Sequence, residues 1–151
     1  MDWIHFWGIG FVALLLLPNL LFAFLRPGGF ENRVQNRAVE LCEQIGRFGC
    51  FILMLVCPPV VCRGFWFAGG EWLYHFLGIA LVGLYELGWI VFWREDSLRK
   101  ALALSILPSL LFLESAVLLG HFPLLACALL FAPCHIYISA KNALLARKGE
   151  S

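Results

Sequence analysis

Charge is scarce in this chain. Lys and Arg number 11 and Asp and Glu 10 among 151 residues, while 62% of the positions are apolar. That balance lies well outside the range of water-soluble domains. A formal net charge of +1 gives no electrostatic footprint for nucleic acid. Catalytic patterns are missing too: the sequence holds no Ser-His-Asp arrangement, no H-E-x-x-H and no phosphate-cradling glycine loop, and Gly8-x-Gly10 is too short for one. Its cysteines (Cys42, Cys50, Cys57, Cys62, Cys127 and Cys134) contain no C-x-x-C pair, so no metal site and no cofactor is implied.

What is present is a set of five apolar stretches, roughly 3–25, 48–67, 72–93, 101–119 and 122–140. At ~20 residues per span they use most of the chain and leave no room for an extramembrane domain. The sequence therefore predicts an all-α protein, a single polytopic membrane bundle of five transmembrane helices. Ten of the eleven basic residues lie on alternate connections. Arg26, Arg33, Arg37 and Arg47 flank the first, Arg94, Arg99 and Lys100 the second, and Lys141, Arg147 and Lys148 the tail, against Arg63 alone on the other side. This bias sets the N-terminus outside and the C-terminus in the cytosol.

The first stretch has no basic leader, Asp2 being its only early charge, and Leu-Phe-Ala-Phe before Arg26 is no cleavage pattern. It reads as a retained helix. Pro27-Gly28-Gly29 predicts a turn after it. Residues 31–46 then read as an amphipathic helix with Val34, Ala38, Leu41, Cys42 and Ile45 as its apolar stripe and Arg33, Arg37, Glu40, Gln44 and Arg47 as its polar face. It either lies at the interface or runs straight into span 2. Pro58-Pro59 predicts a bend or break in span 2. Asp96 or Ser97 suits the cap of span 4. Cys57 and Cys62 read either as packing residues or as a disulfide near the outer face.

Measured from the cytosolic boundary charges, Pro18, Glu86, Pro108 and Pro133 each lie eight residues into their spans. At ~1.5 Å per residue this is one layer about 12 Å deep. Each proline frees a carbonyl one turn back (Leu14, Leu104 and Leu129), for which Asn19, Ser105, Ser109 and His135 offer donors. The layer reads either as kinked helices satisfying one another or as a cytosol-facing cavity lined by Asn19, Gln44, Arg47, Glu86, His135, Ser139 and Asn142. A carboxylate in mid-span costs roughly 2.5–3.5 kcal/mol, so Glu86 should face protein or water, either with Arg47 as its partner or protonated through desolvation. His135, Ser139 and Asn142 follow at i, i+4 and i+7 and form a polar stripe. Glu114 is a secondary candidate nearer the outer side, within reach of His121. His5 and His75 read as interfacial.

The segments Glu31-Asn-Arg, Leu41-Cys-Glu-Gln-Ile-Gly-Arg-Phe-Gly-Cys50, Gly64-Phe-Trp-Phe67, Ala103-Leu-Ser-Ile-Leu-Pro-Ser109 and His135-Ile-Tyr-Ile-Ser-Ala-Lys-Asn142 resemble a family of small uncharacterised bacterial integral membrane proteins. The resemblance covers nearly the whole chain and implies a bacterial inner-membrane location, with no activity attached. Glu114 stands where that family is apolar, so a mechanism shared by the family would not use it.

Three functions fit these residues. The first is a protein of the cell membrane that binds or moves a small solute or proton through the cytosol-facing pocket. The second is a structural or accessory protein that docks a membrane partner or a second copy of itself. The third, and weaker, is a lipid-modifying enzyme. The bilayer is the one partner all three share.

Overall fold

The computed structural model describes residues 3–26 and 32–149. The turn at Pro27-Gly28-Gly29 and the start of the amphipathic segment at Glu31 lie outside the described residues. Five helices follow in order: α1 (Phe6–Leu25), α2 (Arg37–Leu55), α3 (Gly70–Val91), α4 (Leu98–Leu118) and α5 (Phe122–Gly149). Among the described residues there is no strand, only two isolated bridges, Ile4 with Val56 and Cys62 with His121. Phe6–Leu25, Gly70–Val91, Leu98–Leu118 and Phe122–Arg147 are each long and apolar enough to cross a membrane. The fold is all-helical, and four of its helices have the length and apolarity of membrane spans.

The second helix departs most from expectation. Of the two readings of the amphipathic segment, the one in which it runs straight into span 2 holds, and the departure is in extent: one continuous helix runs from Arg37 to Leu55 and ends well short of 67. Asn36 caps its start, its side chain accepting the Val39 N–H at 3.3 Å. It stops three residues before Pro58, because two consecutive prolines supply no amide donors and disfavour helical geometry before them. The double proline therefore terminates the helix where a bend within it was one expectation, and residues 56–69 form a non-helical cap.

The face of α2 turned to the bundle also differs from the apolar stripe read in the sequence. Leu41 and Ile45 are more than half exposed. The buried positions are Glu43, Gly46, Cys50 and Met54. In a membrane this inversion is physically sensible: lipid solvates Leu and Ile as well as a protein core does, while small and polar residues gain by facing other helices. At Gly46 the reason is steric, since a Cβ there would sit 2.8 Å from the backbone of Phe131. Gly78 likewise gives the Phe11 ring its room on α3.

The helices close into a ring. α1 packs on α2 and α3, α3 on α4, α4 on α5, and α5 back on α2. Met54, Tyr74, Leu111, Phe112 and Leu124 fill the interior and are fully buried. At one end a clasp ties the helix termini together. His5 donates its N–H to the Leu55 carbonyl and Cys57 to that of Trp3, both at 2.9 Å, and Gly64 donates to Leu119 at 2.9 Å. Cys57 and Cys62 are joined in a disulfide across a Cα separation of 5.3 Å, which decides between the two readings of that pair.

At the opposite, basic end, Ser97 caps α4 by accepting the Lys100 N–H at 3.2 Å. The Lys100 ammonium then lies over the rings of Phe22 and Trp89, 4.6 and 5.5 Å from their centroids. α5 runs on to Gly149, nine residues past the expected end of its span, so the basic tail is helical.

Candidate functional site

Glu43 and Arg47 are one turn apart on the inward face of α2. Gly46 between them lets α5 approach at Phe131, and one turn further along α5 the ring of His135 arrives beside Glu43. His135 Nδ1 lies 2.8 Å from Glu43 Oε1. The same oxygen accepts from Arg47 Nε at 3.0 Å and from the Arg47 Nη2. The His135 ring is held in plane by stacking on Phe131, with centroids 4.5 Å apart and 21° between planes.

Exposure is graded across this centre. Glu43 is 3% exposed, His135 21% and Arg47 35%. A buried carboxylate is thus reached from the surface through two bases. The hydrogen bond at His135 and the charge of Arg47 offset the cost of burying the Glu43 carboxylate.

A second polar contact lies further along the same seam. Asn142 accepts the Arg33 N–H at 2.9 Å and donates to Asn32 Oδ1 at 3.2 Å, while Asn32 donates to Glu40 Oε1 at 2.8 Å. The stripe on α5 therefore engages α2 and the segment before it at both ends. Ser139, between His135 and Asn142, is half-buried.

The other residues singled out in the sequence lie elsewhere. Gln44 is exposed on α2. Asn19 links α1 to α3, donating to Tyr85 Oη and to the Leu15 carbonyl, both at 2.6 Å. Glu86 is on α3 beside Pro18, in a cleft along the α1–α3 seam. Its expected partner Arg47 is committed to Glu43, and Glu86 Oε1 is buried with no hydrogen-bond partner. The expected donors do not serve the carbonyls freed by proline: Asn19 bonds to Leu15 rather than Leu14, and Ser109 to Ser105 at 2.7 Å rather than to Leu104. An amide or hydroxyl just past a proline reaches its own i−4 carbonyl more readily than the neighbouring one.

Glu114 lies in the half of α4 nearer the clasp, its Oε2 accepting from Ser115 Oγ at 3.3 Å. It makes no contact with His121, whose Nε2 is 3.2 Å from the Val56 carbonyl and whose Nδ1 accepts the Leu124 N–H at 3.3 Å. Burial, set against that carbonyl, lowers the His121 pKa from its ordinary value. His121 is thereby part of the clasp that fixes the α4–α5 turn to the end of α2.

Sequence reasoning passed over Glu43 and Tyr85. The spacing of Glu43 and Arg47 was a legible i, i+4 signal, whereas nothing local marked Tyr85 as the partner of Asn19. Comparison with protein-family models, curated proteins and solved structures found no match to this chain.

Proposed function

We propose that this is a five-span protein of the cell membrane in which Glu43, Arg47 and His135 bind a small anionic solute together with a proton. In this reading α2 makes the remaining crossing, the disulfide-clasped end faces outward, and the basic end faces the cytosol. The bias of Lys and Arg toward the basic end supports that orientation. The observation that carries the functional reading is a single buried carboxylate oxygen holding both Arg47 and His135. While Glu43 is ionised, it occupies the two cationic donors itself. A proton on Glu43 removes that competition and frees Arg47 and His135 for an anion arriving from the cytosolic side. Binding of the anion and protonation of Glu43 are then linked.

The test uses the full chain in sealed vesicles. A cysteine at position 135 is expected to react with a membrane-impermeant maleimide from the basic end, and a small carboxylate such as acetate to slow that reaction. Vesicles containing the protein are expected to take up protons when the anion is supplied, and Glu43→Gln to abolish this uptake. Complete protection of position 135, with no proton uptake, would leave the Glu43 centre as a fastener between α2 and α5 and overturn the proposal.

A further inference from the structure

A second site lies on a different seam and needs none of Glu43, Arg47 or His135. Near the basic end, a cleft of about 560 Å³ between α1 and α3 is lined by Pro18, Leu21, Glu86, Trp89, Trp93 and Arg94. The volume falls in the range of small-molecule sites, roughly 300–1,000 Å³. Leu21 is 50% and the neighbouring Ile90 74% exposed, so the cleft opens on the outward surface of the bundle. In a membrane that surface meets lipid.

A carboxylate at such a place is costly unless something compensates it. Among the described residues no group bonds to its inner oxygen: Glu86 Oε1 is buried and makes no hydrogen bond, and the neighbouring amide of Asn19 is spent on Tyr85 and Leu15. Trp93, just past the end of α3, is half-buried at the cleft wall, its ring centroid 6.0 Å from that of Trp89, whose ring already carries the Lys100 ammonium. Indole faces attract cations, most strongly where water is excluded. A single carboxylate among apolar walls lacks the oxygen ligands that an inorganic cation requires. An anionic amphiphile would place its apolar portion over the Glu86 carboxylate and gain only Arg94, which is already exposed.

We infer that the α1–α3 cleft binds a lipophilic organic cation, an ammonium or phosphonium on an apolar body, with its charge at Glu86 and its apolar groups between Leu21, Trp89 and Trp93. Entry is lateral, from the lipid.

The direct test is equilibrium binding of tetraphenylphosphonium to the purified full chain in lipid nanodiscs, followed by tryptophan quenching and by dialysis. Saturable one-to-one binding is expected. Glu86→Gln should weaken it by about tenfold or more, because it removes the counter-charge in a poorly screened site. Leu21→Trp, which fills the cleft and leaves Glu86 in place, should weaken binding to a similar degree, so a folding failure of one variant leaves the other decisive. Arg94→Ala should strengthen binding modestly by removing a like charge from the rim. Tetraphenylborate, of matching shape and opposite charge, should bind far more weakly. The inference is overturned if Glu86→Gln and Leu21→Trp bind the phosphonium as the native protein does, or if the borate binds as well as the phosphonium. Proton uptake reads the Glu43 centre separately, so either site can fail alone.

Discussion

His135 Nδ1 lies 2.8 Å from Oε1 of Glu43, a residue 92 positions away in the chain. This contact joins α2 to α5 one turn from the place where Gly46 makes room for the Phe131 backbone. Its neighbour Arg47, one turn from Glu43, is bound to the same oxygen. The pair therefore decides both how the helices dock and where a buried charge is kept.

Removing the carboxylate leaves two bases without their acceptor. Breaking a buried ion pair typically costs about 3–5 kcal/mol. Arg47 is a third exposed and regains water, so the expected loss for Glu43→Ala is at the low end, about 3 kcal/mol. Glu43→Gln keeps an acceptor and should lose less. Melting of both variants in detergent checks this, and native-like stability of Glu43→Ala would contradict it.

The close approach at Gly46 predicts a steric penalty. A methyl group there would meet Phe131 backbone atoms at 2.8 Å, and backbone has little room to yield. Gly46→Ala should cost about 1–3 kcal/mol, the usual range for overpacking. Gly10→Ala, where no heavy atom lies within 4 Å, should be neutral or stabilise α1 by up to ~1 kcal/mol. Equal melting temperatures for the two variants would refute the assignment of Gly46 to a helix contact.

The disulfide predicts a thiol count. Cys57 and Cys62 are joined, while Cys42, Cys50, Cys127 and Cys134 are free. Denatured, non-reduced protein should therefore take up four alkyl groups by mass spectrometry, and six after reduction. The ring closed is short, so Cys57→Ser with Cys62→Ser should cost about 2 kcal/mol. Six alkyl groups without reduction would contradict the pairing.

The clasp predicts a dependence on pH. His121 is 1% exposed and burial pushes its pKa below the ordinary 6.5; burial and the charges of His75 and His121 act on His5 in the same direction. The native state thus favours neutral imidazoles, while the unfolded chain takes up protons below about pH 6.5. Stability is complete above that pH and is lost as the pH falls through and below it. Melting temperature should drop between pH 7.5 and pH 5, and His121→Gln should reduce the slope. A flat profile in the native protein would contradict this.

The Asn142 latch predicts a local effect only. Asn142→Ala removes hydrogen bonds to Arg33 N–H and to Asn32, each worth about 1 kcal/mol in partly exposed surroundings. Hydrogen exchange at residues 32–35 should speed up while the core of α4 is unchanged. Unaltered exchange at Val34, whose N–H bonds to Asn32 Oδ1 at 3.1 Å, would refute the latch.

Helix content and the approximate extents of α1, α3, α4 and the first part of α5 were legible in the sequence, because apolar runs of ~20 residues admit few other structures. The Ser97 cap and the stop before Pro58-Pro59 were legible for an equally local reason, since each depends on backbone groups within a turn. The direction in which α2 faces was not. Its Leu41 and Ile45 look like a core stripe by the rule for water-soluble helices, but apolar residues gain no preference for the interior when the surroundings are themselves apolar.

The candidate centre divides along the same line. Composition identified Arg47, Glu86 and His135 as polar groups that need company, because an isolated charge is expensive in apolar surroundings. Which groups meet depends on the approach of helices far apart in sequence. The absence of a side chain at Gly46 brings Phe131 close and delivers His135 to Glu43, so Arg47 goes to its own helix neighbour and Glu86 is left facing the α1–α3 cleft. The sequence by itself determined which residues could not be left alone; only the packing of α2 on α5 decided that, of these three, Glu86 would keep a buried oxygen without a hydrogen bond.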